Sequence, residues 1–313
     1  MSPVPWRERC VAYVALRRAL GFTMRPEERV LCEVVEVLER APTSVGQGST
    51  IVTWAARTGG PGTQARRLSI ARQFLTYVRA LDDGVTVPGP GLLPRVRRSP
   101  PRLLSAADIR RLMAAARQLG PHETLRPSTV ATYIGLLAST GLRAHEAIRL
   151  TVEDVALAAT PPRLTIRQTK FRKSRLVPLH ATTAAALRTY AAQRGALGYD
   201  GLCDAFFVSE RGAPVHYHVI ARTFVSLARR LGLRGPAGER GVSLHHLRHS
   251  FAVARLAAWA QAGADVRAQI PALAVYLGHA RPQDTYWYLT AAPEVLQPAA
   301  DRFEAFVAGQ GHS

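Results

Sequence analysis

Leu244-His245-His246-Leu247-Arg248-His249-Ser250-Phe251 packs three histidines and an arginine into one short run. Ser243, just ahead of it, is a good helix N-cap, so the run predicts the start of a helix. On that helix Leu244, Leu247, Phe251 and Ala254 share one face, and His245, Arg248, His249 and Ala252 share another. The first face is expected to be core; the second is expected to be free to line a site. Downstream comes Leu277-Gly278-His279-Ala280, and nine residues past His279 stands Tyr288. Upstream lies Thr140-Gly141-Leu142-Arg143-Ala144-His145-Glu146.

These residue types suit one kind of chemistry. Attack on a phosphodiester passes through a phosphorane-like state with extra negative charge on the non-bridging oxygens. Planar arginine forks meet that charge with paired, oriented hydrogen bonds that need not reorganise. Arg143 and Arg248 are the candidates. A tyrosine hydroxyl, with an ordinary pKa of about 10, becomes a nucleophile only beside a proton acceptor and positive charge. No metal or other cofactor is needed, because arginine and lysine supply the charge a metal would bring.

TGLRxxE, HxxRH, LGHA and a tyrosine at this spacing together resemble the tyrosine recombinases, also called the phage-integrase family. The resemblance implies the catalytic set Arg143, Lys170, His245, Arg248, His279 and Tyr288, with Glu146 and His249 in support. It implies that Tyr288 becomes bonded to a DNA 3′ phosphate and that Lys170 protonates the leaving 5′ oxygen. It implies His245 as general acid/base and His279 as a hydrogen-bond donor to the scissile phosphate. His249 buttresses, and Glu146 orients Arg143 or a histidine. It further implies double-stranded DNA as partner and a homotetramer on DNA. Asp284-Thr285-Tyr286-Trp287-Tyr288-Leu289-Thr290 looks most like integrases of transposon-like mobile elements. Tyr286 lies near enough to compete as the nucleophile, but the family spacing selects Tyr288. Positions 286 and 288 would also point apart, by about 200° on a helix. Tyr286 and Trp287 are then expected to pack around the segment.

The bulk of the chain agrees. Its 313 residues allow about two domains, and 47% hydrophobic content allows a sizeable core. The net charge is +19, and it is no tail: residues 1–100 hold 15 basic and 8 acidic residues, the remainder 26 and 14. A basic surface on both parts suits a polyanion. Only two of the 41 basic residues are lysine, Lys170 and Lys173. Arginine does not readily give up a proton and lysine can, so chemistry there would explain the exception. Cys10, Cys32 and Cys203 have no metal spacing and suggest no disulfide framework. No signal peptide or apolar span of membrane length is apparent, so a cytoplasmic, nucleoid-associated protein is expected.

The fold class expected is mainly α with a small β-sheet, α+β. Residues 1–86 read as a helical DNA-clamping domain, with helices at Arg9–Leu20, Pro26–Arg40, Ser49–Arg57 and Gln64–Ala80. Residues 87–102 are Pro/Gly-rich and read as a linker. Residues 103–313 read as the catalytic domain with a C-terminal helix. It is opened by the capping-box pair Ser105/Asp108 and contains a helix over Thr129–Ser139. Strands Arg163–Gln168 and Arg175–Leu179 flank a turn, Thr169–Ser174, that holds both lysines. The apolar stripe Val295, Leu296, Ala299, Phe303 and Phe306 would dock on a neighbouring protomer or on its own domain. Expected phosphate contacts are Arg66, Arg67, Arg72, Arg97, Arg98, Lys173 and Arg175. Two rival readings stand beside this one. A metal-dependent nuclease would use His245, His249 and His279, but it leaves Arg143, Lys170 and Tyr288 unexplained. A non-catalytic DNA-binding regulator would leave a complete catalytic set idle.

Overall fold

The computed structural model of the chain describes residues 4–41, 46–94, 102–121, 123–167, 174–239, 241–279, 281 and 283–291. The chain divides into two compact units, Met1–Ser99 and Pro100–Ser313.

The first unit is four helices: α1 (Trp6–Ala19), α2 (Arg25–Arg40), α3 (Gln47–Ala56) and α4 (Pro61–Arg79). Leu31, Val34, Val35 and Leu38 bury one stripe of α2 at helical spacing. They meet Ile51 and Trp54 of α3 and Leu68, Ala71, Phe74, Leu75 and Val78 of α4. The helix α4 begins at Pro61, inside the Gly59-Gly60-Pro61-Gly62 stretch that reads as a breaker. Proline fits the first helical position, where its missing N–H has no intrahelical partner anyway. The Pro/Gly-rich segment from residue 87 is not a free linker at its start. Val87 and Leu93 pack on this core, and Arg72 Nε donates to the Pro88 carbonyl at 2.9 Å.

That packing also changes the expected phosphate contacts. Arg67 lies over the Trp54 ring, 4.2 Å from its centroid, and pairs with Glu33 at 2.5 Å. It also donates to Thr58. Arg72 is tied to Pro88, while Arg66 keeps an exposed head and a loose pair with Glu27 at 3.7 Å. Arg67 and Arg72 therefore act within the unit, because a tryptophan face and a bare carbonyl are at hand. Arg97 and Arg98 lie outside the described residues.

The second unit centres on α6 (Arg126–Thr140), which packs against α5 (Ala106–Arg117), α8 (Ala181–Ala196) and α10 (Leu244–Gln261). Ser105 and Asp108 form the capping box expected for α5. A short helix α7 (Ala144–Ala147) follows α6. Strands β1 (Val155–Ala156), β2 (Arg163–Ile166) and β3 (Arg175–Pro178) make one antiparallel sheet in that order. Leu164 faces Val155 on one side and Val177 on the other, and Ile166 faces Arg175. Lys170 and Lys173, between β2 and β3, lie outside the described residues, as does the C-terminal stripe from Val295 to Phe306. After α9 (Tyr217–Arg230) and α10 come α11 (Val266–Leu277), α12 (Gln283–Tyr286) and a 3₁₀ turn, Trp287–Ala291. Among the described residues no helix is long and apolar enough to cross a membrane.

Helix α10 differs from the two-faced helix expected. Leu244 and Leu247 are core, but so are Arg248, His249 and Ala252, while Ala254 is exposed. Helices α6 and α11 and the 3₁₀ turn all pack against it. The helix is capped by Ser243, and His246 at its third position accepts the Ser243 backbone N–H through Nδ1 at 2.9 Å. His246 is thereby accounted for as a cap. Ser250 Oγ accepts the Leu104 N–H at 2.7 Å, fixing the chain leading into α5 against this helix.

Gly141 ends α6 in the left-handed conformation, φ 61°. A Cβ there would lie 2.4 Å from Phe251 Cδ1 and 2.9 Å from Leu277 Cδ2. Gly141→Ala combines backbone strain with overpacking and should destabilise the unit by about 2–4 kcal/mol. Denaturant unfolding checks this, and an unchanged midpoint would contradict the close packing.

Candidate active site

Two helix C-termini meet at one place. Both α6 and α11 end in left-handed glycines, Gly141 and Gly278. A helix end leaves its last carbonyls without intrahelical donors and carries the negative end of the helix dipole. Arginines fill those carbonyls. Arg248 donates Nη1 to Gly141 O at 2.7 Å and Nη2 to Leu277 O at 2.9 Å. Arg143 donates Nη2 to Gly278 O at 2.7 Å. Arg175 donates Nε to Tyr276 O at 2.9 Å. Three consecutive carbonyls, 276 to 278, thus hold three different arginines. A Cβ on Gly278 would sit 2.5 Å from Arg175 Nη1, so glycine is what admits that guanidinium.

Glu146 closes the cluster. Arg143 is the N-cap of α7 and Glu146 its third residue, which is why the two stand three apart. The Glu146 carboxylate accepts the Arg143 backbone N–H at 3.0 Å and its Nη1 at 2.8 Å. The same carboxylate takes Arg175 Nη1 at 3.1 Å and Nη2 at 2.8 Å. Burial alone would raise the Glu146 pKa, but hydrogen bonds and charge from Arg175, then Arg143, hold it below the usual value. Arg248 is 2% exposed. Its pKa is lowered to about 10 by burial and by Arg143, and it stays charged at neutral pH.

Three guanidinium groups against one carboxylate leave a positive excess, and His279 registers it. Burial, then Arg248 and Arg143, lower the His279 pKa to about 4. The ring is neutral at physiological pH. Its Nδ1 lies 2.6 Å from the buried Thr285 hydroxyl. With that hydroxyl donating to Nδ1, Nε2–H is the available donor. The His279 ring lies nearly parallel to that of Tyr288, centroids 6.1 Å apart.

Tyr288 is 2% exposed. Its hydroxyl is 3.2 Å from His249 Nδ1. His249 also meets Trp287 edge-on at 5.2 Å and His245 at 4.3 Å. His249, expected mostly to buttress through hydrogen bonds, places its imidazole on the tyrosine hydroxyl, with the exposed His245 beside it. Tyr286 is 44% exposed, whereas Tyr288 is buried. Trp287 packs against Tyr288 at 5.5 Å.

Of the expected set, Arg143, Glu146, Arg248, His249, His279 and Tyr288 come together in one cluster, with His245 on its rim. Arg175 requires correction. It is 11% exposed with its fork bound to Glu146 and Tyr276 O, so it is a buried strut and not a surface phosphate contact. The buried Glu146 carboxylate, on helix α7, outcompetes solvent for it. Thr285 was not foreseen as the His279 partner; a lone threonine six residues from a histidine carries no distinctive pattern. Among the described residues no three His, Cys, Asp or Glu side chains are grouped to hold a metal ion. The arrangement is suited to receive an anion beside a tyrosine hydroxyl.

The phage integrase family profile matches residues 102–294. Protein y4rB of Sinorhizobium fredii, whose name reads integrase/recombinase, is 40% identical over 306 residues, covering 96% of this chain and 97% of its own. Tyrosine recombinase XerD of Rhizobium meliloti is 31% identical over 296 residues, covering 90% and 89%. The solved structure of the Tn1549 transposon integrase in complex with transposon right end DNA shares the fold. Its TM-score is 0.66 at 17% identity, covering 94% of this chain and 98% of that one. With a family match over more than half its length and relatives aligned almost end to end, this chain belongs to the phage integrase family of tyrosine recombinases.

Proposed function

We propose that the chain cuts and rejoins duplex DNA at specific sites through a 3′-phosphotyrosine intermediate, moving DNA by integration, excision or transposition. The observation that carries this is the buried Tyr288 hydroxyl on His249, in the cluster that holds Arg143 and Arg248. The family membership and the DNA bound to the Tn1549 neighbour support it.

In this reading the scissile phosphate displaces part of the solvent around Arg143, which keeps a 34% exposed side chain. Arg248 completes the clamp, and neutral His279 donates a hydrogen bond to a non-bridging oxygen. The Tyr288 oxygen attacks phosphorus, and its proton passes to the histidine pair His249 and His245. The P–O bond to the 5′ oxygen breaks, and that oxygen takes a proton from Lys170. A 5′ hydroxyl from another strand then attacks the phosphotyrosine, and the bond energy is retained without ATP. The net charge of +19 on both units favours a clamp on duplex DNA, with four protomers assembled around two sites in the cytoplasm.

Adduct capture from a pool of duplexes with random sequence and a nick tests the reading. Wild-type protein should leave a covalent protein–DNA band on a denaturing gel. Tyr288→Phe should bind the same DNA and form none, whereas Tyr286→Phe should still form it. Adduct mapped to Tyr286 would reassign the nucleophile, and no adduct at all would favour a non-catalytic DNA-binding protein.

Lys170→Arg should retain binding and slow cleavage by about 100-fold or more, since arginine keeps the charge and is a poor acid. A substrate with 5′-bridging sulfur, whose leaving group needs no proton, should recover most of that rate. Recovery with Lys173→Arg instead would place the acid at the other lysine.

His279 should titrate near pH 4 by imidazole NMR. Because its folded pKa lies below its unfolded one, the stability it contributes is present above about pH 6.5 and is lost as pH falls toward 4. A midpoint near 6.5 would contradict the positive surroundings that the proposed phosphate clamp requires.

A further inference from the structure

We infer that Arg175 is a positioning residue for the reaction: its fork holds Glu146 in place, and through Glu146 fixes the guanidinium of Arg143. This rests on the recombination reading above.

Arg175 is joined to its surroundings by three donors at once. Nε reaches Tyr276 O, Nη1 reaches Glu146 Oε1, and Nη2 reaches Glu146 Oε2. Only a planar fork makes those three bonds together; a lysine ammonium at the same place is a point charge. Glu146 Oε1 is shared between Arg175 Nη1 and Arg143 Nη1. A shift of the carboxylate therefore moves Arg143, which is the more exposed arginine of the cluster. Arg175 opens β3, five residues after Lys170 in the chain. It is the described point at which the strand leaving the lysine turn is tied to the carbonyls of α11. One side chain thus links the strand behind the proposed acid to the arginine clamp.

The charges facing Glu146 are Arg143 from the α7 N-cap, Arg175 from β3 and Arg248 from α10, with His279 beside them. Arg175 contributes the largest of the effects that hold the buried carboxylate ionised. Without it, burial acts on Glu146 less opposed, and the carboxyl takes up a proton at higher pH. A protonated Glu146 no longer holds Arg143 by charge. A structural strut alone would make no such connection between Arg175 and acidity.

The test uses the full-length protein, single-turnover adduct formation on a captured nicked duplex, and a pH series from 5.5 to 8.5. Arg175→Met should bind that duplex within about twofold of wild type and form adduct about 10- to 100-fold more slowly at pH 8. Its rate should fall further toward pH 5.5 relative to wild type, and adding Glu146→Gln should abolish that extra acid limb. Arg175→Lys, which keeps the charge and is the safer variant to fold, should be slow at pH 8 yet show no extra limb. The inference is overturned if both variants cleave at the wild-type rate. It is equally overturned if they lose rate and DNA affinity together with a wild-type pH profile, as a merely structural residue would. Absence of adduct from wild-type protein would instead overturn the recombination reading, and this inference with it.

Discussion

Everything in the cluster depends on three backbone carbonyls in a row. Tyr276, Leu277 and Gly278 end α11, and their oxygens receive Arg175, Arg248 and Arg143 in turn. A helix C-terminus must find donors for its last carbonyls, and here it finds them in side chains from β3, α10 and the N-cap of α7. One turn of chain therefore fixes three residues that are far apart in sequence. The left-handed glycine is required twice over, once to end the helix and once because a Cβ would strike Arg175.

Such a cluster is not built for stability. Lowering the Arg248 pKa to about 10 corresponds to on the order of 3 kcal/mol against the charged form. The His279 ring gives up its proton readily for the same reason. One carboxylate and four carbonyl bonds offset part of this, and the remainder is a standing preference for an added anion. A phosphodiester arriving at Arg143 would relieve it. The burial and like-charge repulsion that lower both pKa values are the ones an anion beside the cluster offsets.

The sequence was most legible where a motif and a cap coincide. The spacing of Arg143 and Glu146 is that of an N-cap and its third residue, and Ser243 with His246 repeats it. The helices of the first unit follow from apolar period, with starts displaced by about three residues where Pro61 and Trp6 lie just outside the periodic stretch. Arg175 was misread because an exposed and a buried arginine look alike in a basic chain. Only the tertiary packing of β3 near α7 and α11 brings it to Glu146 and the Tyr276 carbonyl. The second face of α10 was misread for a related reason: polar residues on a helix suggest water, but Arg248 and His249 are buried against partners that lie far away in sequence. Lys170 remains an argument from sequence alone.

The pair of tyrosines shows how local geometry adds to spacing. The helix α12 ends at Tyr286 and a 3₁₀ turn begins at Trp287. At about 120° per residue in a 3₁₀ turn, two steps still carry Tyr288 well round from Tyr286, as two helical steps would. One side chain faces solvent at 44% exposure, and the other enters the core formed by Ala252, Val253, Leu256 and Leu273. Only the inward one reaches a histidine. At 2% exposure the Tyr288 side chain is closed off from solvent. The contacts of its short segment include the Trp287 ring on His249, the Thr285 bond to His279 and the Tyr288 bond to His249. All three end on His249 or His279, so the placement of the tyrosine segment and that of the two imidazoles are set together.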